Sequence, residues 1–170
     1  MILQRTEHPD WLTNAYLLAD TDRKGVLIDG MGDDDTCNRL LGAIEHGLIQ
    51  PMRNGSIQGL PLTIGLDLSA DRRWTRTSGD QSNSLAFVNQ KYVLKIFRRV
   101  EAGPNPDLEI SRFLMGHGFT RIPPLAGALS YQRPGLDDGI LALLMTSLAC
   151  WFRMSMASAM SRRGTVTTAS

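Results

Sequence analysis

Residues 79–99 read GDQSNSLAFVNQKYVLKIFRR, and how this stretch divides decides the fold. Residues 79–84 are a small polar turn. Residues 85–88 have strand character, Asn89 and Gln90 offer a turn, and residues 91–97 form a second run rich in β-branched and aromatic side chains. With side chains alternating at period two, Val93, Lys95 and Phe97 share one face of that second strand. A lysine flanked by apolar neighbours and facing a polar loop can add its charge where loop N–H groups cover phosphates. The same residues also make a plain hairpin, with a solvated turn and a lysine whose stem lies along apolar surface.

Downstream, Asn105, Pro106 and Asp107 supply an N-cap, a proline at the first helical position and an acid in the first turn. The helix they open gains apolar contacts from Leu108, Ile110, Phe113, Leu114 and Met115, and Gly116 and Gly118 end it. Glu109 lies early on this helix. It can pair with Lys95 in a phosphate-binding lobe, or with Arg112 or Arg98 as an ordinary surface carboxylate.

Upstream, residues 69–78 form a polar, arginine-rich link that Trp74 can anchor. Residues 62–68 alternate apolar and polar and predict a half-buried strand, after a polar, glycine-containing loop at 51–59. Asp33, Asp34 and Asp35 open a helix, with Cys37, Leu40, Leu41 and Ile44 as its apolar stripe and Gly47 at its end. Residues 12–19 and 25–28 predict two further strands.

A net charge of +1 argues against nucleic acid as the main partner, because backbone phosphates demand a concentrated basic surface. The basic cluster Arg72, Arg73 and Arg76 is short enough to be a solvated edge. Two cysteines, Cys37 and Cys150, make no metal knuckle. The apolar run 140–150 is too short to span a bilayer, and charges interrupt the first residues where a signal peptide would need an apolar core. A soluble, cytoplasmic protein without membrane or nucleic-acid partners is expected.

The wording GDQSNSLAFVNQKYVLKIFRRVEAGPNPDLEISRFL, continuing through HGFTRIPPLAGALSYQRP to LALL, resembles the maltokinase family, including maltokinase parts fused to trehalose synthase. The family pattern is G-E-Q-S-N-T-S, a strand ending L-K-x-F-R-R, then G-x-N-P-D-x-E-x-x-R-x-L and P-P-x-x-G. The likeness reaches back through GVLIDGMGDDDTCNRLLGAIEHG and covers roughly residues 25–144. It implies an α+β chain in which a small N-terminal cap precedes an aminoglycoside-phosphotransferase or protein-kinase-like N-lobe. It further implies ATP with Mg²⁺, and phosphoryl transfer to maltose giving maltose 1-phosphate, in glycogen, α-glucan and trehalose metabolism. By matching position, Gln81, Ser82, Asn83 and Ser84 belong to the phosphate loop, Lys95 is the phosphate lysine, and Glu109 is its helix partner. Asp80 stands for the usual Glu and Ser84 for the usual Thr. Separately, WLTNAYLLAD followed by GVLIDG resembles the opening hairpin of metallo-β-lactamase-type hydrolases. The dense histidine cluster of that family has no counterpart here, where His8, His46 and His117 are far apart.

After Leu144 the pattern breaks. The family continues with N-Q-G-D-x-W and a helical lobe carrying the catalytic carboxylates. This sequence continues MTSLACWFRMSMASAMSRRGTVTTAS, with no acidic residue beyond Asp138. The expected organisation is a cap over residues 1–70, a kinase-like N-lobe over 71–147 with its C-lobe missing, and an atypical, disordered tail over 148–170. The expected function is the nucleotide-binding part of a maltose kinase, inactive without a complementing lobe. The alternatives are a non-catalytic α+β interaction module or nonfunctional fragment and, more distantly, a degenerate metallohydrolase-type hairpin protein.

Overall fold

A computed structural model describes residues 2–8, 11–19, 24–28, 34–52, 55–63, 66, 68, 71–76 and 83–150, with side chains from residue 34 onward. In chain order the elements are strands β1 (Ile2–His8), β2 (Trp11–Ala19) and β3 (Lys24–Ile28), helix α1 (Asp34–His46), strands β4 (Ile49–Met52), β5 (Gly55–Pro61), β6 (Trp74–Arg76), β7 (Asn83–Val88), β8 (Tyr92–Phe97) and β9 (Arg99–Glu101), helix α2 (Pro106–Gly116), and strands β10 (Leu125–Gln132) and β11 (Gly139–Thr146). The chain is α+β. Its antiparallel strands form one sheet ordered β1-β2-β3-β9 and a second ordered β4-β5-β10-β11-β8-β7-β6.

The hairpin at the centre of the sequence folds as its alternation predicts. β7 and β8 pair from Asn83↔Phe97 to Val88↔Tyr92. Asn89 and Gln90 both take positive φ, 51° and 55°, and Lys91 N–H donates to the Val88 carbonyl at 3.0 Å. That is a tight mirror-image turn, whose twist suits a hairpin. β11 adds to β8 in register, Leu143 opposite Lys95 and Met145 opposite Val93. The apolar run from residue 140 is therefore a central strand, and residues 139–144 are buried along their length.

Helix α1 covers one face of the large sheet. Cys37, Leu41 and Ile44 are fully buried, as the predicted stripe requires, and Gly47 closes the helix at φ +61°. Arg72 reaches Glu45 at 2.9 Å, Trp74 Nε1–H donates to Asn38 Oδ1 at 2.9 Å, and Arg76 pairs with Asp34. Of the arginine cluster read as a solvated edge, Arg72 and Arg76 thus tie the β6 segment to α1, while Arg73 is exposed and pairs with exposed Asp71.

Several expectations change. The segment 51–59, read as a loop, holds the second half of β4 and most of β5, while the described residues among 62–68 form no strand. The reason is close approach: a Cβ on Gly59 would lie 1.8 Å from the Ala43 carbonyl oxygen, so glycine here marks a strand running beneath a helix. Beyond β5, the Leu62 and Thr63 N–H groups both donate to the Ala126 carbonyl, and Leu68 is buried. A first strand, β1, pairs with β2 where only two strands were expected. On α2, Leu108 is buried, but Ile110 and Phe113 are 59% and 63% exposed rather than packed. Strands β4 and β5, from the stretch grouped with the cap, hydrogen-bond into the same sheet as the 83–146 strands. Gln81, Ser82 and residues 151–170 lie outside the described residues. None of the described helices is long and apolar enough to cross a membrane.

Candidate functional site

Register decides which face Lys95 occupies. Leu94 lies opposite Leu144 and Ala86, and Gly127, opposite Leu144, abuts Ile44 of α1. That row faces α1. The adjacent row, Leu85, Lys95 and Leu143, points to the other side by strand alternation. There a cleft of about 830 Å³ is lined by Leu85, Phe87, Val93 and Met145, together with Asn83, Lys95, Pro123 and residues 146–149. Its size is that of a small-molecule pocket, and its chemistry is an apolar body with few polar groups.

Lys95 supplies the cationic group. Its side chain is 22% exposed, so the stem is packed while the ammonium still reaches solvent. The Nζ lies 2.5 Å from Asp107 Oδ2 and 5.0 Å from the centroid of the Phe97 ring. With Asp107 half exposed, the ion pair is worth less than about 1 kcal/mol and acts on the position of the ammonium more than on stability.

The sequence-predicted site residues divide. Asn83 and Lys95 come together on the cleft. Ser84, one residue on, turns to the opposite face, where its Oγ accepts from Arg98 Nε at 3.1 Å. Glu109 does not reach Lys95. It lines a separate groove of about 640 Å³ with Arg112, Asp137 and Asp138, because α2 starts with Asp107 on the strand side and Glu109 about 200° around the axis. Asp107 was read from sequence only as a first-turn acid, although residues two apart on a helix cannot both face one strand. Met145 and Ser147 were read as part of the break in pattern. Met145 instead lines the cleft, and buried Ser147 donates to the Gln90 carbonyl at 2.5 Å and accepts from Cys150 N–H at 3.2 Å.

At the sheet edge, Arg76 is held above its ordinary pKa. Partial burial opposes its charge, and the hydrogen bond and negative charge of Asp34, with a smaller contribution from neighbouring Cys37, outweigh that opposition. A raised value keeps this stabilisation fully present below the ordinary guanidinium value and loses it only as pH rises through the raised one, so it is constant through the neutral range. Among the described residues no group of three or more His, Cys, Asp or Glu side chains converges to hold a metal ion, and no metal ligand is assigned. The cleft does fit a nucleotide: an apolar slot for a base with an ammonium for phosphate oxygens.

No protein-family model matches the chain. Among solved structures the chain is similar to a glucosamine kinase, at 16% sequence identity and a TM-score of 0.52, over 80% of this chain and 32% of that one. The chain thus spans about a third of the length of the kinase it matches. At this identity the likeness is one of fold, and the fold is kinase-like.

Proposed function

We propose that this chain is the nucleotide-binding part of a sugar kinase and takes ATP on the Lys95 face of the large sheet. The observation that carries the reading is the nucleotide-sized apolar cleft with a single lysine ammonium on it, in a kinase-like fold. Leu85, Phe87, Val93 and Met145 exclude water from the base. Lys95 has three N–H donors, of which Asp107 engages one, and the others are directed to phosphate oxygens. The Asn83 side chain lies on the same cleft, and the backbone of residues 81–84 is assigned to cover the phosphates.

The sequence resemblance over roughly residues 25–144 supports maltose as the acceptor and maltose 1-phosphate as the product. Phosphoryl transfer depends on positioning, and a carboxylate must orient the attacking sugar hydroxyl. The resemblance supports assigning that carboxylate to a helical lobe that follows the nucleotide lobe in the family pattern. The same resemblance supports a division into a cap over 1–70, a nucleotide lobe over 71–147 and a tail over 148–170, acting in the cytoplasm, with trehalose synthase as a natural neighbour. A second reading, a non-catalytic interaction module, is favoured by the exposed Ile110 and Phe113 on the outer face of α2.

NMR titration with ATP separates the two. The expected outcome is shifts at Val93, Lys95 and Met145 with millimolar affinity, about 4 kcal/mol of binding, because the cleft has one wall from this chain. Lys95→Ala weakens binding. Lys91→Ala does not, since Lys91 lies over the Tyr92 ring and its side chain is outside the cleft lining. Absence of shifts around Lys95 leaves the interaction-module reading standing.

A further inference from the structure

We infer that Asp107 is the positioning residue for Lys95, and that the carboxylate partner of the phosphate lysine in this chain is the first-turn aspartate of α2 rather than Glu109. This rests on the nucleotide reading above and names a residue that reading lacks.

The assignment follows from how the start of α2 is fixed. The link from β9 is pinned to the sheet by the Ala102↔Gly139 bridge and by Gly103 N–H donating to the Asp138 carbonyl at 3.0 Å. Asn105 then caps the helix, its Oδ1 accepting from Leu108 N–H at 3.1 Å, while Glu109 N–H donates to the Asn105 carbonyl at 3.0 Å. Pro106, in the first turn, restricts the backbone there. Leu108 is buried in the core and sets the rotation of the helix about its axis. With Leu108 held inward, Asp107 meets Lys95 at 2.5 Å, and Glu109 is carried to the groove beside Arg112 and Asp138. Bringing Glu109 to Lys95 would turn the helix by about 160–200° and take Leu108 out of the core, at the cost of a buried leucine.

The physical consequence is a short tether. Aspartate has one methylene fewer than glutamate, so the ammonium is drawn toward the first turn of α2 and held between Asp107 and the Phe97 ring. A free lysine side chain samples many rotamers, and a phosphate binding it must order them. The pair does that ordering beforehand.

Two measurements on the whole chain test this. In the nucleotide-free protein, the ¹⁵N–¹H signal of the Lys95 ammonium, assigned by its loss in Lys95→Ala, is expected to be sharp and protected from exchange. Asp107→Asn should remove that protection and Glu109→Gln should leave it. A wild-type chain without a protected signal, or one whose protection is lost only in Glu109→Gln, overturns the inference. In the ATP titration, Asp107→Asn is expected to weaken binding by about fivefold, the scale of one charge-assisted hydrogen bond, and to have no further effect in a Lys95→Ala background. Glu109→Gln should stay within about twofold, as for an exposed charge away from the ligand. An Asp107→Asn effect that persists without Lys95 overturns the positioning role, since the residue then acts through the fold. Circular dichroism of each variant checks that α2 is intact. If ATP binds no variant and not the wild type, the nucleotide reading fails and the positioning role with it, while the ammonium signal still decides the pairing.

Discussion

Gly59 and Gly127 lie where α1 crosses the sheet, and each is glycine because the helix leaves no room. A Cβ on Gly127 would meet Ile44 Cγ2 at 2.2 Å, and one on Gly59 would meet the Ala43 carbonyl oxygen at 1.8 Å. A flexible side chain can yield, but a helix carbonyl already hydrogen-bonded to Leu48 N–H cannot. Gly59→Ala is therefore expected to destabilise the chain by about 3 kcal/mol, the upper part of the overpacking range. Gly42, with nothing within 4 Å of its Cβ position, is the control. Gly42→Ala should stabilise by about 0.5–1 kcal/mol, because alanine loses less backbone freedom in a helix. Urea midpoints for the two variants should move in opposite directions. This scale is also where the sequence misled. Glycine and polar residues in 51–59 have loop composition, and nothing local reveals that a helix will press on them. The face of Lys95, by contrast, was legible from strand alternation; Asn83 and Ser84 were read as turn and instead open β7, where the same alternation turns Ser84 away.

Helix α2 separates what a short motif can specify from what it cannot. Asn105, Pro106 and Asp107 announce the start of the helix, and the structure begins it there with the Asn105 cap in place. Its orientation is not announced, because apolar residues at 108, 110, 113 and 114 follow no single stripe. Packing settles it: Leu108 goes inward, while Ile110 and Phe113 stay in solvent, Phe113 stacked on His117 with ring centroids 4.1 Å apart. That rotation also decides between Asp107 and Glu109, which is why the lysine's partner could not be read from spacing. Leu108→Ala is expected to cost about 2–4 kcal/mol as a buried truncation. Phe113→Ser should change stability by no more than about 0.5 kcal/mol despite removing a larger side chain. Thermal or urea unfolding of the two variants makes the comparison, and equal losses would place Phe113 against something in the folded chain.

At the scale of the whole molecule, the hairpin at 85–97 was enough to indicate antiparallel pairing, whereas the apolar run from residue 140 was read as too short for a bilayer and proves to be a central strand. The joining of β5 to β10 was not legible, since one sequence shows which segments are strands more readily than which distant segments pair. That joint sets an order in time. The hairpins β7–β8 and β10–β11 close over short stretches of chain, whereas Leu60 must find Ala128, 68 positions further along the sequence. Closing a long loop costs entropy before its contacts form, so the β5–β10 seam is expected to be the late step. Pulsed hydrogen exchange during refolding should protect amides of β8 and β11 before those of β5, and simultaneous protection would contradict this order. A ribosome meets the same sequence of events from one end. Cys37, Leu41 and Ile44 emerge early, yet the sheet they cover is completed only when residues 125–132 arrive. Through that interval α1 carries a naked apolar stripe, which makes the growing chain, more than the finished one, the natural client of a chaperone.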